Sequence, residues 1–134
     1  MSNKAKLFLI DGSAYIFRAY YGIRPLSTST GVPTNAVVGF ARMIARLIKE
    51  QAPEHIAIIF DTKEPNFRHE LFSDYKANRD APPEDLIPQF ALIRQLVEAM
   101  DILDLSMAGY EADDIIGTLA RKAAAENMEA VIVS

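Results

Sequence analysis

Nine residues carry the densest chemistry in this sequence: Ala108-Gly109-Tyr110-Glu111-Ala112-Asp113-Asp114-Ile115-Ile116. Three carboxylates fall within four positions, at the start of a predicted helix and just after a short apolar run. Like charges this close resist joint ionisation unless a positive species sits among them, and a divalent cation on oxygen ligands is the usual neutraliser. Two further aspartates occupy matching positions. Lys6 to Ile10 is an apolar run ending in Asp11-Gly12-Ser13, and Ile56 to Phe60 is another ending in Asp61-Thr62.

Short continuous apolar runs bounded by turn signals read as strands buried on both faces, and helical patterns between them make the sheet parallel. All strand ends then share one edge, the edge at which open α/β sheets bind ligands. Asp11, Asp61 and the 111 to 114 cluster are therefore expected to converge there. Taken singly, each has a plainer explanation: acids in a first helical turn gain about 0.3 to 1 kcal/mol from the macrodipole, and an aspartate before Gly or Thr is a common turn residue. Three such strand ends on one edge favour a metal site. Glu111 and Asp114 are i, i+3 neighbours, whereas Asp113 points away from Glu111 along a regular helix. At a first turn, Glu111 and Asp113 could still reach one ion above the sheet. His55 begins a strand and His69 lies in an irregular stretch, so an oxygen-only site for Mg²⁺ or Mn²⁺ is expected. Such ions suit phosphodiester hydrolysis: one activates water and a second stabilises the leaving oxygen. No Walker loop is present.

The elements that must hold these residues follow in order. Ser13 is a candidate cap for a helix that Gly22 and Pro25 end, and Thr34 is a candidate cap for the next. Val37, Phe40, Ala41, Ile44, Leu47 and Ile48 form that second helix's apolar stripe. Arg42, Arg46 and Lys49 line another of its faces, and a solvated surface accounts for them more simply than phosphate contact. Pro53 closes the helix. From Thr62 to Pro83 periodicity is lost, and aromatic and basic residues alternate through Phe67-Arg68-His69, Phe72 and Tyr75-Lys76-Ala77-Asn78-Arg79. Rings for bases and cations for phosphates suit a nucleic-acid strand, and an ordinary surface loop explains the stretch equally well. Pro82 to Asp85 opens a helix with Leu86, Phe90, Ile93, Val97 and Met100 at helical spacing. Pro88 is then confined to its first turn or a kink. Ile102 to Met107 is a third strand, Ile115 to Ala123 a helix face, Asn127 its C-terminal residue, and Ala130 to Val133 a fourth strand.

The net charge of −4 argues against gripping a polyanion by bulk electrostatics, yet through Lys49 the only acid is Asp11. A basic face beside an acidic pocket would show this asymmetry. No cysteine is present, which removes disulfides and thiolate metal sites. With no apolar run of membrane-spanning length and no signal-like start, a cytoplasmic protein with no membrane partner is expected.

Five motifs in series then match a known family: Phe8-Leu9-Ile10-Asp11-Gly12-Ser13, Gly31-Val32-Pro33-Thr34-Asn35-Ala36 with Gly39-Phe40, Phe60-Asp61, Tyr75-Lys76-Ala77-Asn78-Arg79 and Glu111-Ala112-Asp113-Asp114. Together they resemble the N-terminal 5′-3′ exonuclease domains of bacterial DNA polymerase I, within the flap endonuclease-like 5′ nucleases. The resemblance implies a PIN-like (resolvase-like) α/β fold, with a mainly parallel sheet flanked by helices and a helical-arch segment at about 62–83. It implies a structure-specific nuclease acting at 5′ flaps, nicks and RNA primer ends of DNA, in replication and repair in the bacterial cytoplasm at the nucleoid. By the same resemblance Asp11, Asp61, Glu111 and Asp113 surround the first metal and Asp114 supports them. Tyr75, Lys76 and Arg79 form the base of the arch, with Lys76 and Arg79 on the scissile phosphate and Tyr75 on an unpaired base. Arg18 is a lesser phosphate candidate. Family members continue into a Gly-Asp-x-Asp turn for the second metal and a duplex-gripping helical region. Residues 1–134 are thus expected to be the first part of one nuclease domain, with a polymerase possible further along. The competing readings are a PIN-type endoribonuclease and a non-catalytic metal- or DNA-binding module. Phosphoacceptor receivers and haloacid-type phosphatases fit less well, because Ser13 stands where a second aspartate would be needed.

Overall fold

Strand β1 (Lys6–Asp11) is an interior strand of the sheet, and its alternation divides the molecule into two cores. Ile10 enters one core and Leu9 the other, both fully buried. Strand β2 (His55–Ile59) repeats the division, with Ile58 on the first side and Ala57 and Ile59 on the second. Strands buried on both faces need apolar residues at every position, which is why these segments read as unbroken runs. Strands β3 (Leu103–Leu105) and β4 (Glu129–Val133) complete a four-stranded sheet in the order β3-β2-β1-β4, with every pair parallel. The computed structural model describes residues 4–62 and 82–134. Most of the expected arch segment, with Tyr75, Lys76 and Arg79, lies outside the described residues.

Parallel neighbours require crossovers, and helices supply them. Helices α1 (Gly12–Gly22), α2 (Asn35–Gln51) and α3 (Ile87–Ala99) cover one face through Ile16 and Ala19, Phe40 and Ile44, and Ile93 and Val97. Helix α4 (Ala112–Ala125) covers the other through Ala112 and Ile116. One helix does not span four strands: Leu103 on β3 and Ile132 on β4 remain 60% and 58% exposed. The chain runs outward from β1 to β2 to β3 and then returns to the far side of β1. That reversal is the topological switch point at which such sheets place their ligands.

One expected helix cap is corrected, and the other holds by position alone. Asp11, not Ser13, caps α1, its Oδ1 accepting the Ala14 amide at 3.0 Å. Thr34 precedes α2 without a side-chain cap bond. Instead Gln89, on α3 and fully buried, accepts the Ala36 and Val37 amides at 2.7 and 3.1 Å. Its Nε2 donates to Asn35 Oδ1 and to the Asp85 carbonyl, each at 2.9 Å. Asn35 in turn donates to the Tyr20 and Ile23 carbonyls, and the Tyr20 hydroxyl donates to Asp85 at 2.6 Å. A side chain 53 residues away thus satisfies amides that a local cap would otherwise take, so sequence neighbours gave no sign of it.

Other boundaries follow the expected punctuation. Helix α2 ends at Gln51 before Pro53, Pro88 sits in the first turn of α3, and Asn127 takes a left-handed conformation just past α4. Strand β3 is shorter than Ile102 to Met107. The Ile102 amide is taken by the Val97 carbonyl, and a turn from Met107 to Tyr110 opens beyond Leu105. Arg42, Arg46 and Lys49 are all exposed, and Arg46 pairs with Glu50 at 2.8 Å, as a solvated face would.

Candidate functional site

The register of β1 on β2 sets Asp11 opposite Ile59, so Asp61 emerges two residues later at the adjoining strand end. The Phe60 amide extends the ladder by donating to Leu105 O at 2.9 Å. Asp61 is then held from two sides. Its amide donates to Ser13 Oγ at 3.0 Å, and its Oδ1 accepts the Ala112 amide at 2.6 Å. A carboxylate at the first turn of α4 sits where the helix dipole is positive. Ser13 holds Asp61 instead of capping α1, and its place there is set by the close packing of α1 on β2. Gly12 permits that packing, since a Cβ there would lie 2.7 Å from Phe60 Cε1 and 2.8 Å from Ile58 Cγ2.

Glu111 and Asp114 form a capping box. The Glu111 carboxylate accepts the Asp114 amide, and Asp114 Oδ2 accepts the Glu111 amide at 3.0 Å. Glu111 is only 5% exposed, although it is an acid at a helix start. The i, i+3 spacing noted in the sequence is what this reciprocal bond requires. Asp113 stands exposed on the same first turn.

Asp11 reports how closely the acids gather. Burial pushes its carboxyl above the ordinary value of 3.8, against the lowering effect of the Ala14 amide, and the charges of Asp113 and Asp61 push it up further. The strand end of β1, the strand end of β2 and the first turn of α4 therefore share one electrostatic site. Among the described residues, no group of three or more His, Asp or Glu side chains is arranged as a ready metal cage. The Asp11 and Asp61 carboxylates each accept a helix amide. The donor set nonetheless fits a hard divalent cation: it is all carboxylate oxygen, and the charges of Asp113 and Asp61 add to burial in raising the Asp11 carboxyl. His55 begins β2, at the opposite edge of the sheet.

Arg18 donates from Nη1 to Ser134 O at 2.7 Å, just past the Val133 that pairs with Ile10, with its guanidinium 5.7 Å from the Tyr15 ring centre. A second cation lines a cavity together with Asp61. Arg94 on α3 lies 4.6 Å from the Phe60 ring centre and donates from Nη2 to Ser106 Oγ at 3.3 Å. Nothing in its helical spacing set it apart from an ordinary surface arginine.

Residues 6–134 match the model of the 5′-3′ exonuclease N-terminal resolvase-like domain. The chain belongs to this family. The exonuclease-family chain is 46% identical to DNA polymerase I of Rhizobium leguminosarum across all of its length and 14% of the relative's. It is likewise 46% identical to DNA polymerase I of Pseudomonas aeruginosa over 97% of the chain and 14% of that protein. The chain thus spans about one seventh of these relatives. Among solved structures, the bacteriophage T5 D15 flap endonuclease in a pseudo-enzyme–product complex with DNA and metal ions superposes with a TM-score of 0.67. The match has 20% identity and covers 96% of this chain and 48% of that one. The exonuclease-family domain accordingly has the mixed α/β, PIN-like architecture, and the observed parallel sheet is its core.

Proposed function

We propose that this 5′-3′ exonuclease-family chain is the N-terminal part of a single nuclease domain that hydrolyses phosphodiester bonds at 5′ flaps, nicks and RNA primer ends. The observation that carries the reading is the convergence of Asp11, Asp61 and Asp113 on the carboxyl edge, with the Asp11 carboxyl held high by burial and by its acidic neighbours. Mg²⁺ or Mn²⁺ is the fitting cofactor, with Asp11, Asp61, Glu111 and Asp113 as its ligands and further carboxylates for a second ion supplied beyond Ser134. Bound there, such ions supply a nucleophilic water and stabilise the leaving oxygen.

The chain's own residues do the rest. Asp114 holds the Glu111 amide and so fixes where α4 begins; Ser13 holds the Asp61 amide and fixes the end of β2. Lys76 and Arg79 place positive charge on the scissile phosphate and Tyr75 stacks an unpaired base, as the family motif implies. The names and lengths of the relatives support a polymerase in the same polypeptide, and a replication and repair role in the bacterial cytoplasm goes with it. No described helix is long and apolar enough to cross a membrane.

The test is cleavage of a 5′-flap DNA in Mg²⁺ or Mn²⁺ by the full-length polypeptide and by the 134-residue chain, each beside Asp113→Ala. Asp113 is exposed, so its loss leaves the fold intact. Cutting by the longer form that falls to background in the variant supports the reading. Metal and DNA binding without cutting in either form would point instead to a binding module.

A further inference from the structure

A cavity of about 780 Å³ opens at the carboxyl edge beside Asp61. Its walls include Ser13, Asp61, Ser106, Phe17, Phe90 and Arg94. The volume lies within the roughly 300 to 1,000 Å³ of small-ligand sites. The guanidinium of Arg94 rests on the Phe60 ring at 4.6 Å and gives one N–H to Ser106. A guanidinium has five N–H donors, so most of this one's capacity is uncommitted. Among the described residues it forms no ion pair, although Asp61 lines the same cavity. A fixed cation that borders an acidic cluster without being quenched by it is placed to receive an anion that the cluster would otherwise repel.

The lining also includes aromatic rings. Phe17 meets Phe90 edge-on at 6.5 Å and stays 38% exposed. Exposed ring surface in the same cavity as a guanidinium with donors to spare matches the two parts of a nucleotide, a base for stacking and a phosphate for bidentate hydrogen bonding.

We propose that this cavity is a nucleotide subsite in which Arg94 binds a phosphate neighbouring the scissile one and Phe17 stacks the attached base. The inference rests on the nuclease reading and adds residues that none of the five family motifs contains. Arg94 here is a substrate-binding residue supplied by α3, outside the segment 63–81.

Full-length protein with Arg94→Gln, Arg94→Lys or Phe17→Ala is assayed on 5′-flap DNA carrying a single neutral methylphosphonate, or a single abasic site, stepped along the strand near the cut. For Arg94→Gln the expected result is a KM raised about tenfold with a smaller change in kcat, and a salt slope of binding reduced by about one. Arg94→Lys recovers the salt slope. Wild type is weakened by methylphosphonate at one position where Arg94→Gln shows no further loss, and the adjoining abasic site has the same relation to Phe17→Ala. Wild-type KM, salt slope and substitution profile in both Arg94→Gln and Phe17→Ala, with the parent cutting normally, overturns the subsite and leaves the nuclease reading standing. A parent that neither binds nor cuts the flap overturns both. Should Arg94→Gln fail to fold, Phe17→Ala decides: no further loss at the abasic position that weakens wild type supports the subsite, and a wild-type profile overturns it.

Discussion

The Asp61 carboxylate accepts the Ala112 amide at 2.6 Å, tying the end of β2 to the first turn of α4 on the opposite side of the sheet's edge. The same residue is proposed as a metal ligand. Its two roles separate by substitution. Asp61→Asn keeps an acceptor for the amide, so its stability stays within about 0.5 kcal/mol of wild type. Asp61→Ala removes the acceptor and costs about 1 kcal/mol. Both lose the stabilisation by Mn²⁺ that the parent shows. Urea denaturation with and without Mn²⁺ measures all three quantities, and equal Mn²⁺ stabilisation of the Asn variant and the parent would remove Asp61 from the ligand set.

Asp11 gives a pH signature. Its folded carboxyl is raised by burial and by Asp113 and Asp61, so the folded protein holds that proton more tightly than the unfolded chain does. Stability from this group is full below the unfolded value and falls as pH rises through the folded one. Asp11→Asn retains the cap on Ala14 and escapes the loss. In a chelating buffer the variant therefore gains melting temperature over the parent between acid and neutral pH. Divalent cation narrows that gap by stabilising only the parent. A gap that shrinks with rising pH in chelator contradicts this account.

Gln89 joins α3 to the start of α2 through four hydrogen bonds from a fully buried side chain. Gln89→Ala leaves the Ala36 and Val37 amides and the Asn35 carbonyl without their partner, at a cost of about 3 kcal/mol. Thr34→Ala, at the position sequence rules favour for the cap, changes stability by no more than about 0.5 kcal/mol. Chemical denaturation of the two variants tests the assignment directly, and a larger loss for Thr34→Ala reverses it.

Gly12→Ala drives a methyl into Phe60 and Ile58. The contact is with packed core side chains, so α1 shifts from β2 at a cost of about 1 to 3 kcal/mol. Because Ser13 and Asp11 flank Gly12, the shift also loosens the Ser13–Asp61 bond, and cleavage falls further than stability alone explains. Gly22→Ala is the control, with open space at its Cβ, and leaves cleavage unchanged.

What the sequence by itself determined is the set of strand ends and their common direction. Continuous apolar runs ending in Asp11 and Asp61, separated by helical patterns, admit a parallel sheet with those acids on one edge, because a strand buried on both faces has few other ways to be written. The local punctuation was equally legible: Pro53, Pro88 and Asn127 act on their own backbone, and so do Glu111 and Asp114 across one turn. Tertiary structure alone decided the contacts between residues far apart in the chain. Gln89 on Ala36, Ser13 on Asp61, Asp61 on Ala112 and Arg94 on Phe60 each join groups more than thirty residues apart. Their physical cause is packing: which amide a buried oxygen finds, and which ring a guanidinium lies on, depends on how helices settle over the sheet, and no local spacing encodes it. The acids could be read from the sequence, and the groups that aim them could not.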